Sequence, residues 1–456
     1  MSDPSIILEK LLDIKRLDVD PLRGRLFTYI YETGDVQLKK LASKAIELFT
    51  DTNALDPTVF KSALFFEKEV VSFAKSLVHA GDSVVGTATY GGTESIMLAV
   101  KAARWVYRRT RGAGGVPEVV LPITGHPSIR KAAHYLDMRT IEVPVDPETK
   151  KADVEAVKEA VSSRTALIVL SAPNFPYGVI DPIREIAEYA SDKSVPVHVD
   201  ACVGGFILPF MEELGERVEP FDFRVEGVTS LSMDAHKYGY TPKGVSVVLF
   251  GDEEFKKGTI FVDLKWPGYP LINTTVLSSR SAAPLAAAWA VFNYLGRKGY
   301  LDMTRRVLSA RNKLYGGMRR LGFYSVAPLE SPLLSMALDD ESEVFKFHAN
   351  MSLRGWVIGL QPKLEGVAPY NIHLTVSPIH DKVAEEYLRD AKESIEGPPP
   401  EELVKAYELL ERDPLSAASL IGETPLDAII IAKILESIPG ELAEEIARQL
   451  TVEVFK

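Results

Sequence analysis

The chain has 456 residues, enough for more than one domain, and its 46% hydrophobic and 25% charged residues are typical of a globular protein. Its net charge of −11 argues against nucleic-acid binding, and no run of about 18 apolar residues predicts a membrane-spanning helix. The one cysteine, Cys202, excludes a disulfide within the chain and suits a reducing compartment, so we expect a cytoplasmic protein.

The first part of the chain is predicted to be helical. Apolar residues recur at helical spacing through residues 1–50, interrupted by a polar, turn-like segment around Tyr31. Helical periodicity resumes from Phe60 to His79. We therefore assign residues 1–60 to an N-terminal helical segment.

Strand-like and helical stretches then alternate. The predicted strands are Val119–Ile123, Thr140–Val145, Ala166–Ser171, Val195–Val199, Thr229–Met233 and Val245–Phe250. The predicted helices between them are Pro127–Leu136, Val154–Val161 and Ile183–Tyr189. This alternation predicts an α/β fold, with a three-layer large domain and a mainly parallel sheet over residues 61–300.

The pattern changes near residue 300. Helix Met303–Leu321 is followed by mixed strands and helices, which predict a small C-terminal α+β domain over residues 301–396. A run of three prolines, Pro398–Pro400, ends that domain, and residues 397–456 read as a helical tail.

Three polar residues each follow a predicted strand: His126, Asp200 and Lys237. Ligands of mainly parallel sheets bind beyond the carboxyl ends of the strands, so one pocket could hold all three side chains. Burial at such a position lowers the pKa of a lysine and makes its amine a better nucleophile, which is what Schiff-base formation requires. Considered alone, Lys237 could equally be a solvated loop lysine, Asp200 a helix cap and His126 a turn histidine.

A glycine-rich turn at Gly91, Gly92 and Thr93 opens a strong helix. Free N–H groups and the positive end of the helix dipole make such a turn a seat for phosphate, although a plain helix cap would have the same residues. The turn is not a Walker loop, because no Gly-Lys-Ser/Thr follows it.

Taken together, these features match the needs of pyridoxal phosphate. Lys237 would form the Schiff base, Asp200 would pair with the pyridinium nitrogen, and the helix start at Gly92 would hold the phosphate. The flat ring of His126 could cover one face of the cofactor, and the small Ala201 could pack against the other. No metal is part of this predicted site.

The sequence resembles the fold-type I pyridoxal-phosphate enzymes of the group II decarboxylase family, and within it the sphingosine-1-phosphate lyases. The segments that carry the resemblance are Gly86–Ser95, Phe175–Pro182, His198–Phe206, Pro220–Ser230 and His236–Gly244. The resemblance extends from about residue 25 to about residue 395. It implies a lyase that cleaves the Cα–Cβ bond of a phosphorylated 2-amino-3-hydroxy compound, giving an aldehyde and an amine.

The resemblance also implies roles for further residues. Thr93 matches the phosphate-binding turn, and His236 matches a histidine that also reaches the phosphate. Tyr31 falls in a segment that borders the substrate, and Lys243 matches a second active-site lysine. Ser279, followed by arginine, matches a turn that reaches the cofactor phosphate of the other subunit, which implies a homodimer with composite active sites.

The sequence departs from the family pattern at the substrate side. Asp56 replaces a histidine and Leu271 replaces a tyrosine, while Ser278 and Ala235 replace a glycine and a threonine. These departures leave open a decarboxylase acting on an amino acid, which would use the same cofactor. A catalytically silent relative that binds a partner through its tail is a further alternative, and the presence of both Lys237 and Asp200 argues against it.

Overall fold

The computed structural model describes residues 3–112, 114–412, 429–431, 433–434 and 438–454. The helices that precede the large sheet are α1 (Pro4–Lys15), α2 (Val36–Leu48) and α3 (Lys61–Leu77), with a 3-10 turn at Pro21–Arg23. No helix within the described ranges combines the length and apolar character that crossing a membrane would require.

The central element is a sheet of seven strands in the described part of the chain. In chain order the strands are β1 (Val85–Thr89), β2 (Glu118–Pro122), β3 (Arg139–Val143), β4 (Thr165–Ser171), β5 (Val197–Asp200), β6 (Val228–Met233) and β7 (Ser246–Phe250). Their order across the sheet is β1-β7-β6-β5-β4-β2-β3. The strands from β6 to β3 pair in parallel, whereas β7 runs antiparallel to both β6 and β1.

Helices cover both faces of this sheet. They are α4 (Gly92–Arg111), α5 (Pro127–Tyr135), α6 (Val154–Ala160), α7 (Ile183–Asp192), α8 (Leu208–Glu213) and α9 (Glu253–Lys257). Strand β4 shows why: Leu167 and Val169 pack into one hydrophobic cluster with α4 and α5, while Ile168 and Leu170 pack into the other. Because both faces need covering, the strand is apolar throughout. The predicted three-layer α/β architecture with a mainly parallel sheet is confirmed.

The long helix α10 (Ala283–Arg320) leads away from the large sheet. It is bent at Gly296, which has a φ of 51° that favours glycine. The predicted domain boundary at residue 300 falls inside this helix. The backbone at Gly296 is not helical, so α10 consists of two helical pieces that meet at a kink, and the predicted helix Met303–Leu321 corresponds to most of the second piece. The division into domains at residue 300 stays a prediction.

A second sheet follows, with strands β10 (Tyr324–Ser325), β11 (Leu333–Ala337), β12 (Gly359–Gln361) and β13 (Asn371–Thr375), after the hairpin β8 (Phe261–Asp263) and β9 (Leu271–Asn273). Its strands are antiparallel in the order β10-β11-β13-β12. Helices α11 (Glu341–Leu353) and α12 (His380–Glu396) accompany it. The predicted helical tail includes α13 (Glu401–Arg412) and α14 (Gly440–Val454), and much of the remainder lies outside the described residues.

Candidate active site

A cavity of about 720 Å³ lies at the carboxyl ends of β2, β4, β5 and β6. The predicted site residues that line it are Tyr31, Gly92, Thr93, His126, Asp200, His236, Lys237 and Lys243. Their convergence follows from topology, since the carboxyl ends of parallel strands share one edge of a sheet. Two predicted residues are not part of the lining: Ala201 is fully buried and Ser279 is exposed.

Lys237 lies in a tight turn that follows β6. Its Nζ is 3.0 Å from Oδ2 of Asp234, and the two side chains are only 23% and 3% exposed. The turn is closed by a hydrogen bond from the Lys237 amide to the Asp234 carbonyl. Gly239 is required just beyond, because a Cβ there would lie 2.4 Å from the Ala235 carbonyl oxygen.

The Asp234 carboxylate determines the charge on Lys237. Burial disfavours the ammonium, but the neighbouring carboxylate more than offsets this and raises the pKa of Lys237 above its ordinary value. The same pairing lowers the pKa of Asp234 despite its burial. The prediction that burial lowers the pKa of Lys237 is therefore wrong for the chain without cofactor. That prediction considered burial alone and did not include the charge of the Asp234 carboxylate.

Asp200 is the last residue of β5 and is buried at the cavity wall. Its Oδ1 accepts a hydrogen bond of 3.1 Å from the Cys202 amide, which orients the carboxylate. Two residues earlier, His198 is fully buried, with its ring nitrogens 2.9 Å and 3.1 Å from the hydroxyls of Ser230 and Ser232. Burial lowers the pKa of His198 to about 4, so this histidine is neutral.

The glycine turn connects β1 to α4. A Cβ added to Gly92 would lie 2.7 Å from Cys202 Sγ and 2.9 Å from both Asp234 carboxylate oxygens, so a larger residue does not fit. Glu94 closes the turn, since its Oε2 accepts a hydrogen bond of 2.7 Å from the Tyr90 amide. Its Oε1 accepts another of 2.7 Å from the Val276 amide, which ties the helix start to the loop after β9.

His126 precedes α5 and caps it. Its Nδ1 is 2.7 Å from the Ser128 hydroxyl and accepts a hydrogen bond of 3.2 Å from the Ser128 amide. Because Nδ1 accepts, Nε2 carries the proton of the neutral ring. Burial lowers the pKa of His126, which favours this neutral form.

His236 is held by the neighbouring strand. Its Nδ1 lies 2.9 Å from the Val245 carbonyl oxygen, so Nδ1 donates. The other nitrogen, Nε2, is 3.6 Å from Asp234 Oδ2. His236 and Lys237 therefore lie on either side of the Asp234 carboxylate. Burial lowers the pKa of His236.

Tyr31 and Lys243 lie near the mouth of the cavity. Lys243 Nζ donates a hydrogen bond of 3.0 Å to the Tyr29 carbonyl and lies 5.7 Å from the centre of the Tyr31 ring. Although Lys243 reaches solvent, the surrounding walls desolvate it and lower its pKa. Burial raises the pKa of Tyr31 to about 12, so its hydroxyl stays protonated at neutral pH.

Sequence reasoning missed Asp234, the residue closest to Lys237. A signal was present, since an acidic residue three positions before a lysine in a turn can lie on the same side. It also missed the apolar wall that Phe175, Val276 and Leu277 contribute. No periodic pattern marks these residues, because they lie in loops that meet only after folding.

Two of the residues that depart from the family pattern, Asp56 and Leu271, lie away from the cavity. Asp56 is exposed and caps a turn through Thr58, and Leu271 is in the β8–β9 hairpin. Neither lines the cavity. Arg280, next to Ser279, pairs within its own chain with Glu67 at 3.1 Å.

Known proteins resemble this chain in sequence and in fold. The model of the pyridoxal-dependent decarboxylase conserved domain matches residues 64–331. The chain belongs to the pyridoxal-dependent decarboxylase family. The match includes the glycine turn, Asp200 and Lys237 within its bounds.

Comparison with individual proteins shows which members of the family this chain resembles. Sphingosine-1-phosphate lyase 1 of Rattus norvegicus is 37% identical over 396 residues, which cover 85% of this chain and 67% of that protein. The solved structure of the Burkholderia pseudomallei sphingosine-1-phosphate lyase superposes with a TM-score of 0.82 at 31% identity, over 91% of this chain and 95% of that one. Glutamate decarboxylase of Lactobacillus brevis, at 23% identity, 87% and 93% coverage and a TM-score of 0.76, shares the fold. The predicted fold type I and the predicted class, a pyridoxal-phosphate-dependent lyase, are confirmed.

The cavity fits this cofactor. It has an amine on Lys237, a carboxylate on Asp200, a helix start without a Cβ at Gly92, and a flat ring on His126. In the chain's described part, the second oxygen of Asp234 lacks a hydrogen-bond partner, which leaves polar capacity for a ligand on the same side.

Proposed function

We propose that the enzyme cleaves the Cα–Cβ bond of a phosphorylated 2-amino-3-hydroxy compound, with a sphingoid base phosphate as substrate. The observation that carries this proposal is the joint presence of Lys237, Asp200 and the Gly92 turn in one cavity, in a chain 37% identical to a sphingosine-1-phosphate lyase. When bound, pyridoxal phosphate supplies an aldehyde for the substrate amine and a ring that accepts the electrons of the broken bond.

The proposed roles of the floor residues follow from their charges. Lys237 would hold the cofactor through its amine. Asp200, whose carboxylate is fixed by the Cys202 amide, would keep the ring nitrogen protonated. The N–H groups at the start of α4, together with Thr93 and His236, would bind the cofactor phosphate.

Cleavage also needs a base that takes the proton of the substrate 3-hydroxyl. The pKa of Tyr31, at about 12, makes its phenol a hydrogen-bond donor. The pKa of His126 is lowered by burial, so its ring is neutral at pH 7. Lys243, whose pKa is also lowered, loses a proton more readily than an ordinary lysine. Because Nδ1 of His126 is occupied by Ser128 and Nε2 already carries a proton, this ring can donate but not accept. We therefore assign the proton acceptor to Lys243, and substrate positioning to His126 and Tyr31.

The cavity wall suits an amphiphilic substrate. Lys131 and Lys243 provide cations for a substrate phosphate, and neither is deeply buried. Next to them, Phe175, Val276 and Leu277 provide apolar surface for a hydrocarbon chain. Asp56, which replaces a histidine of the family pattern, lies outside this lining and therefore does not oppose a substrate phosphate in the cavity of its own chain.

We further propose a homodimer in the cytoplasm with composite active sites. Support comes from Ser279, which is exposed outside its own cavity, and from the largely exposed apolar side chains of the β8–β9 hairpin. Such apolar exposure is typical of surfaces that are buried on association.

The test is product analysis with the cofactor-loaded protein. A sphingoid base 1-phosphate should give a long-chain aldehyde and phosphoethanolamine, while the same base without phosphate should react poorly. Glutamate and aromatic amino acids serve as the matched alternative substrates. Release of carbon dioxide from these, with no aldehyde from the phosphorylated base, would contradict the proposal and indicate a carboxy-lyase.

A further inference from the structure

We propose that Asp234 is a positioning residue for the cofactor lysine. It holds the Lys237 amine in place as an ammonium ion before the cofactor arrives, and it thereby sets the pH at which the amine becomes free to react. The inference depends on Lys237 being the lysine that binds the cofactor, as proposed above.

The first support is the geometry of the pair. Oδ2 of Asp234 lies 3.0 Å from Lys237 Nζ, whereas Oδ1 is buried without a hydrogen-bond partner among the described residues. A buried carboxylate oxygen without a donor costs free energy, so it needs a reason to persist. The ion pair at Oδ2 supplies that reason, because a buried ammonium needs a carboxylate beside it.

The second support is confinement of the carboxylate. Gly92 leaves just enough space for it, since a Cβ there would lie 2.9 Å from both oxygens. On the other sides it faces Lys237, and His236 at 3.6 Å. The carboxylate has little freedom to turn away from the amine, so the pair is built into the fold.

The third support is the balance of charge around the pair. The other titratable groups that face it come from several segments: Tyr31, His126, Asp200, Cys202, His236 and Lys243. Burial raises the pKa of Cys202 and Tyr31 and lowers that of both histidines, so these four are neutral near pH 7. Asp234 is therefore the closest counter-ion of Lys237.

The Lys237 ammonium must lose a proton before its amine can react. In that step an N–H bond of Lys237 breaks and an O–H bond forms on a water molecule, which carries the proton to solvent. The Asp234 carboxylate stabilises the ammonium and so opposes this loss.

The test compares Asp234→Asn with the wild-type chain during cofactor capture. The full-length protein is stripped of cofactor and mixed with pyridoxal phosphate between pH 6 and pH 10, and the visible absorbance is followed by stopped flow. Removing the carboxylate lowers the pKa of Lys237, so a larger fraction of free amine is present at a given pH. Capture near pH 7.5 should be about tenfold faster for each pKa unit removed, and the pH midpoint should move down.

Borohydride trapping followed by peptide mass analysis separates this inference from the proposed function. The adduct should map to Lys237 in both proteins; an adduct elsewhere would reject the cofactor lysine itself. An adduct on Lys237 with an unchanged pH midpoint would overturn the role of Asp234 alone.

A second measurement needs no substitution and so does not depend on the variant folding. Competitive acetylation of the cofactor-free wild-type chain, read by mass spectrometry, gives a pH midpoint for each lysine. Lys243 is the matched control, because it lines the same cavity without a carboxylate partner. The midpoint for Lys237 should lie above that for Lys243, and the reverse order would overturn the proposal.

Discussion

The floor of the cavity, which is its buried end, and the mouth, which opens to solvent, differ in structure. At the floor, Asp200, Asp234 and Lys237 lie at strand ends or in a closed turn and are largely buried. Short polar contacts hold them: Lys237 pairs with Asp234, and Asp200 accepts from the Cys202 amide. At the mouth, Leu277 and Lys243 lie in loops and reach solvent. The floor therefore determines which cofactor chemistry is possible, and the mouth determines which molecule undergoes it.

The largest effect on activity is expected when the lysine amine at the floor of the cavity is removed. We expect Lys237→Ala to abolish the visible absorbance of the loaded protein and to lower kcat by about a thousandfold or more, since a covalent partner is lost. Spectroscopy and product formation check this result. Lys193→Ala, on the exposed end of α7, is the control and should behave as wild type. Full activity in the Lys237 variant would remove this residue from the site.

The second largest effect on activity is expected at Asp200, the proposed partner of the cofactor ring nitrogen. Asp200→Asn keeps the shape of the side chain and its acceptor for the Cys202 amide, but it loses the charge that holds a proton on the cofactor. We expect kcat to fall about 10²–10³-fold while a coloured complex still forms, because electrostatic stabilisation of the reaction is lost. Equal kcat values in the two proteins would show that another group performs this role.

The glycine turn tests how closely the floor is packed. Gly92→Ala places a methyl group against Cys202 and Asp234, with overpacking that costs about 1–3 kcal/mol. Cofactor affinity, measured by equilibrium titration, should fall by about tenfold for each 1.4 kcal/mol of that cost. Gly81→Ala is the matched control, since its Cβ would meet no atom within 4 Å. A similar change in both variants would contradict the packing argument.

The smallest effect is expected at the mouth. Leu277→Ser removes apolar surface from a side chain that is already 45% exposed, so we expect a loss of about 1 kcal/mol, or roughly fivefold in KM, for long-chain substrates. Substrates with short chains should not distinguish the variant from wild type. Val116→Ser, an exposed valine outside the cavity, is the control. A change in kcat with both chain lengths would place Leu277 in the reaction rather than at the substrate entrance.

The same contrast explains what could be predicted from the sequence. Apolar strands followed by a single polar residue mark the floor, so Asp200 and Lys237 could be placed together before any coordinates were known. The pairing of Lys237 with Asp234 could not, because it depends on the path of a turn rather than on a periodic pattern. The strand β1 was missed since Gly86 and two threonines weaken its apolar signal, although its partner β7 was predicted.

The loops at the mouth escaped prediction for a further reason. Val276 and Leu277 lie after a short hairpin that the sequence did not indicate, and their contact with the cavity depends on Glu94, nearly 200 positions away. The second piece of α10 was predicted as helix Met303–Leu321, whereas the position of the kink at Gly296 was not predicted.

Glu94 connects the start of α4 with the entrance of the cavity. Its carboxylate accepts hydrogen bonds from the Tyr90 amide, just before α4, and from the Val276 amide at the entrance. A shift of the helix start would therefore move the Val276 loop through one side chain, and we expect a molecule bound at the deep end of the cavity to alter the shape of the entrance.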